Sequence, residues 1–84
     1  MHEILLAGQA ERDLKRLPAD VYQRVIAEIK ILAENPRPPG CKKLTGSKHD
    51  WRIRVGEYRV LYEIDDKAHV VRVMGVRHRK DVYR

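Results

Sequence analysis

The stretch Trp51–Tyr62, reading Trp-Arg-Ile-Arg-Val-Gly-Glu-Tyr-Arg-Val-Leu-Tyr, does most to limit what this chain can fold into. Apolar and polar residues alternate on both sides of Gly56-Glu57, the pattern of two half-buried strands. A two-residue loop with glycine first suits a type II′ hairpin. That turn sets Val55 opposite Tyr58, Ile53 opposite Val60 and Trp51 opposite Tyr62, all on one face. Arg52, Arg54 and Arg59 fall on the other face, with Arg54 directly across from Arg59. Like charges in that register oppose pairing, so folding alone gives little reason for them. Converging guanidinium groups are well suited to holding phosphate.

The rest of the chain supplies what the hairpin needs to be covered. His2–Ala7 is short and apolar and suits a first, buried strand. Gly8–Leu17 switches to helical spacing, with Ala10, Leu14 and Leu17 on one side. Pro18 interrupts it and fits the first turn of a second helix. Val21, Tyr22, Val25, Ile29 and Leu32 then recur at helical steps until Asn35-Pro36 stops the run. From Arg37 to Asp50 the prolines, Gly40 and lysines predict an irregular connector. Asp65-Asp66-Lys67 marks a turn, and valine-rich His69–Val76 a central strand, with Gly75 a candidate bulge. The order strand, two helices, three strands predicts one α+β domain over residues 1–84. Its expected architecture is a small, mainly antiparallel four-stranded sheet with a helical hairpin on one face and the arginines on the other.

Composition limits the partners. The chain has 84 residues, 43% of them hydrophobic and none Phe, enough for one modest core. A net charge of +6 favours a polyanionic partner. The single cysteine, Cys41, has no partner for an internal disulfide, which fits a reducing cytoplasm. There is no run of about 18 apolar residues and no signal-peptide pattern, so no membrane association is expected.

Metal and nucleotide chemistry find little support. The four histidines lack zinc-ligand spacing and cysteine partners, and no glycine-rich phosphate loop is present. Asp65-Asp66 reads as turn chemistry; no cofactor or metal is expected. The basic residues gather instead at the hairpin, in the connector (Lys42, Lys43, Lys48) and in the tail (Arg77, Arg79, Lys80, Arg84). Tyr83 in that tail is free either to pack or to stack on a base. Arginines stabilise a charged phosphate well but are poor proton acceptors. Histidine, with an unperturbed pKa of about 6.5, suits proton transfer, which makes His78 the candidate base.

Taken together, Lys43-Leu44-x-Gly46, the Trp51–Tyr62 hairpin and His78-Arg79-x-Asp81-Val82-Tyr83 resemble the RelE/ParE toxin superfamily. The chain is more similar to the RelE-like, ribosome-dependent mRNA endonucleases than to the ParE-like gyrase poisons, which generally lack the full C-terminal set. The resemblance implies a toxin that cuts mRNA in the A site of the 30S subunit, without a metal, and is neutralised by a cognate antitoxin protein. It also implies roles for residues. Arg52 and Arg54 occupy two basic positions that in such nucleases are often lysines assisting deprotonation, which leaves that task to His78, Tyr83 or the ribosome. Arg59 and Arg77 match a phosphate-stabilising and a leaving-group arginine, and Tyr83 the tyrosine that stacks on the substrate. The alternative is a ParE-like, non-enzymatic inhibitor of DNA gyrase.

Overall fold

The computed structural model describes residues 1–44 and 50–82, with side chains as far as Lys80. Lys48, Tyr83 and Arg84, all expected at the site, lie outside the described residues. Strand β1 (Glu3–Leu6) leads into helices α1 (Gly8–Lys15) and α2 (Ala19–Glu34). Strands β2 (Lys42–Lys43), β3 (Asp50–Val55), β4 (Tyr58–Asp65) and β5 (Val70–His78) follow, and a single turn of helix, α3 (Arg79–Val82), comes last. The five strands form one sheet in the order β1-β5-β4-β3-β2, antiparallel except for the β1–β5 pair.

Helix boundaries follow the expected punctuation. Pro18 occupies the position before α2, and Asn35, extended at φ −144°, ends it ahead of Pro36. Ala10 and Leu14 of α1 and Val25, Ile29 and Leu32 of α2 are buried against the sheet. From the sheet they meet Ile53, Val55, Val60, Tyr62, Val71 and Val73. Tyr22 departs from the expected stripe, being 39% exposed.

The hairpin forms in the anticipated register, with Arg54 facing Arg59 and Trp51 facing Tyr62. Gly56 takes φ +60°, the sign a type II′ turn needs at its first central residue. An added Cβ there would lie 3.1 Å from Nη2 of Arg24, which reaches across from α2.

Two features correct the expected architecture. The sheet has five strands rather than four, because Lys42 and Lys43 leave the connector to pair with Arg52 and Trp51. A two-residue strand bearing only lysines is a blunt edge that discourages further pairing. The last strand also runs on to His78 rather than ending at Val76, and it is bulged. Tyr62 pairs with Val73 but Leu61 pairs with Gly75, so one extra residue, Met74, is inserted. The insertion changes side-chain parity. Val71 and Val73 face the core, then Val76 and His78 do so in place of Gly75 and Arg77.

Candidate active site

The bulge completes a row of arginines. Arg59 is flanked in register by Arg54 on β3 and Arg77 on β5, on the face away from the core. Adjacent strands lie about 4.7–4.9 Å apart, so the three Cα positions span about 10 Å. One pleat further along, Arg52 stands beside Lys42 of β2, both on the same face as the row. Arg54 is exposed, Arg52 half-buried, and Arg59 only 5% exposed. The face is therefore not open throughout: its central arginine is buried.

A cleft of about 370 Å³ opens at the turn end of the hairpin. It is lined by Arg54, Gly56, Glu57, Tyr58, Arg59 and Arg79. Arg79 is held there through its backbone, whose N–H donates to the Glu57 carbonyl at 2.7 Å. Its Nε lies 3.6 Å from the exposed Glu57 carboxylate. Three guanidinium groups, those of Arg54, Arg59 and Arg79, thus line one small cleft, with the Glu57 carboxylate among them.

Arg77 is anchored from outside the sheet. Its guanidinium pairs with the carboxylate of Asp13 on α1. Asp13 is 8% exposed and also accepts from the Val76 N–H at 2.9 Å and the Gln9 amide at 2.7 Å. Burial works against the charge on Asp13, but these hydrogen bonds and Arg77 outweigh it and hold the carboxyl below its ordinary value.

The structure does not bring every expected residue to this row. His78 faces Tyr58 across the strands, on the core side, with ring centroids 5.0 Å apart and planes at 87°. Its Nδ1 accepts from the Lys80 N–H at 3.2 Å, so the imidazole caps α3. Lys43 shares a face with Trp51, away from the arginines, while Lys80 is exposed beside α3. Tyr62 is a core residue, as its place opposite Trp51 predicts. It is 1% exposed, donates to the Pro36 carbonyl at 2.8 Å, and burial pushes its hydroxyl well above the usual tyrosine range.

Two residues beside the row were not singled out from the sequence. Asp13 had a legible signal, since a carboxylate between Ala10 and Leu14 falls on the apolar stripe of α1. Arg24 had none beyond its charge, because only the folded hairpin brings Gly56 against it.

A larger cleft, about 730 Å³, lies at the other end of the sheet around Trp51 and Asp66. Its charges are of mixed sign, and two of them are paired. Arg37 lies over the Trp51 ring at 5.1 Å and pairs with Asp66 at 3.0 Å. Among the described residues, no cluster of His, Cys, Asp and Glu is arranged to hold a metal ion. No helix among them is long and apolar enough to cross a membrane.

Comparison with known proteins identifies the family and the fold. A family profile described as the ParE toxin of type II toxin-antitoxin system, parDE, matches residues 4–83. Toxin RelG of Mycobacterium tuberculosis is 35% identical over 79 residues, covering 89% of this chain and 87% of that protein. Toxin RelE3 of Methanocaldococcus jannaschii is 32% identical over 89 residues, covering 96% and 94%. The archaeal RelE–RelB complex from Pyrococcus horikoshii contains a chain of the same fold. It superposes with a TM-score of 0.82 at 28% identity, covering 93% of this chain and 94% of that one. The chain belongs to the RelE/ParE superfamily and is a RelE-like toxin of a type II toxin–antitoxin system.

Proposed function

We propose that this toxin is an endoribonuclease that cuts mRNA in the ribosomal A site and so halts translation. The observation that carries the reading is the in-register row Arg54–Arg59–Arg77, with Arg79 at the adjoining cleft. In the proposed reaction the ribose 2′-oxygen attacks the adjacent phosphorus and the bond to the 5′-oxygen breaks. A 2′,3′-cyclic phosphate remains, and the departing 5′-oxygen takes a proton from Arg77 or from water to become a free 5′-hydroxyl. Negative charge builds on the phosphate oxygens in the transition state, where fixed, permanently charged donors stabilise it without a metal ion. Arginine is a poor acceptor for the 2′-hydroxyl proton. With His78 on the core side of the sheet, that proton passes to Tyr83 in its phenolate form or to a group of the ribosome. Arg52, Lys42, Lys80 and Arg84 add to the general attraction for the RNA backbone, which weakens with salt.

The partner of the toxin is proposed to be a cognate antitoxin, by analogy with the RelE–RelB complexes of Pyrococcus horikoshii and of Methanococcus jannaschii. Its place of action is the cytoplasm, where mRNA is translated. A second reading, inhibition of DNA gyrase, is favoured by the name of the matching family profile.

One experiment separates the two. After induction without antitoxin, RNA 5′ ends are mapped across translated messages and gyrase-trapped DNA breaks are probed at the same early times. Cuts within translated mRNA with intact DNA are expected. Early DNA breaks with intact mRNA overturn the nuclease reading in favour of the gyrase one.

A further inference from the structure

We infer that Asp13 is a positioning residue for the arginine row, acting through Arg77. The inference rests on the nuclease reading above. Of the charged side chains on α1, Glu11, Arg12 and Lys15 are exposed, and Asp13 alone is buried. A buried ion pair is a weak source of stability beside apolar packing of similar volume. Holding the helix down does not by itself account for a carboxylate here.

What the carboxylate touches does account for it. Strand β1 ends at Leu6, and its last bond to β5 is from the Ala7 N–H to the Val73 carbonyl. Beyond that point no strand among the described residues borders this edge of β5, and Asp13 accepts the Val76 N–H in place of one. The same Oδ2 also takes the guanidinium of Arg77. One atom therefore fixes both the backbone after the bulge and the side chain that the bulge turns onto the arginine face. Gln9 secures the other carboxylate oxygen. Gly75 leaves the space free: a Cβ there would sit 3.1 Å from Asp13 Oδ2 and 3.2 Å from Arg77 Nη1.

Two consequences follow for a bound phosphate. The contact engages Arg77 through Nη1, which leaves the other N–H donors of its five in a fixed orientation. Arg77 keeps 36% of its side chain exposed, so those donors remain within reach of a ligand. The negative charge also offsets Arg77 beside Arg59, so the row assembles before RNA arrives. Loss of that charge leaves the attraction for RNA undiminished while Arg77 loses its orientation. The reaction rate falls and the binding does not, a split that loss of folded protein would not produce.

The test is a double-mutant cycle in single-turnover cleavage of ribosome-bound mRNA, with ribosome affinity measured alongside. Asp13→Asn is expected to cut about 10–100-fold more slowly, by analogy with the loss of a group that orients a metal ligand. Its affinity for the ribosome should stay at the wild-type value or tighten. Arg77→Ala should be slower than wild type, and the Asp13→Asn/Arg77→Ala double variant no slower than Arg77→Ala alone. A folded Asp13→Asn protein that cuts at the wild-type rate overturns the inference, as do multiplicative losses in the double variant. If Asp13→Asn does not fold, Gln9→Ala serves instead, removing one hydrogen bond to the carboxylate. It should slow cleavage in the wild-type background and have no effect beside Arg77→Ala; any other pattern overturns the inference. Wild-type toxin that leaves mRNA intact overturns the nuclease reading itself, and this inference with it.

Discussion

Tyr58 and His78 stand opposite each other on β4 and β5, their rings edge to face at 5.0 Å. The pairing places the imidazole on the core side of the sheet, with a pleat between it and Arg59 and Arg77. A histidine chosen for its titration range is thus used to pack against a tyrosine and to cap α3.

His78→Ala is accordingly expected to keep growth inhibition within a few-fold of wild type. It should lower Tm, since an edge-to-face aromatic contact contributes about 0.5–1.5 kcal/mol. Colony counts after induction and a thermal melt check both parts. A loss of cleavage of about 10²-fold or more in a folded variant would return His78 to the role of general base.

Arg59 sits at the centre of the row and is 5% exposed, so its charge and its bulk need separate tests. Arg59→Ala should abolish toxicity and also lower Tm, because it empties a buried site. Arg59→Met keeps most of the stem volume and should be folded yet non-toxic. A folded Arg59→Met variant with full toxicity would remove the arginine row from the mechanism.

The pH dependence of stability should report Asp13. Its carboxyl titrates below the ordinary 3.8 in the folded chain, so its contribution is fully present above the unfolded value. The contribution is lost as pH falls through the lower, folded value. Wild-type Tm should therefore drop steeply below about pH 4, and Asp13→Asn should flatten that drop. At neutral pH the variant should be less stable by about 1.5–3 kcal/mol, the range for a hydrogen bond to a charged group. Asp66 is also shifted downward by Arg37, but both side chains are exposed, so Asp66→Asn should leave the acid limb unchanged. An acid limb unaltered in Asp13→Asn would refute the assignment.

Tyr62→Phe provides a variant that should affect the fold and spare the activity. It orphans the Pro36 carbonyl that the buried hydroxyl now satisfies, at a cost of about 1–3 kcal/mol. Toxicity at a permissive temperature should match wild type. Loss of cleavage without loss of Tm would mean that Tyr62 has a part in the chemistry.

Much of this molecule is local and therefore legible. The hairpin register follows from a period of two and one glycine that tolerates positive φ, so Arg54 facing Arg59 could be read directly from the chain. The helices follow from apolar spacing and from two prolines that cannot continue a helix. Lys42 and Lys43 could not be read as a strand, because two residues carry no periodicity and only the completed edge of β3 pairs them. The side on which Arg77 and His78 fall was likewise undetermined. Alternation from Val71 and Val73 would turn Arg77 inward, and one inserted residue in β5 reverses that choice. Whether a strand bulges depends on its partners across the sheet and on Asp13 from a helix 63 residues earlier in the chain. The facing pair Arg54 and Arg59 is thus written in the sequence. The third member of the row, and the face on which His78 falls, are decided by contacts that exist only once the chain has folded.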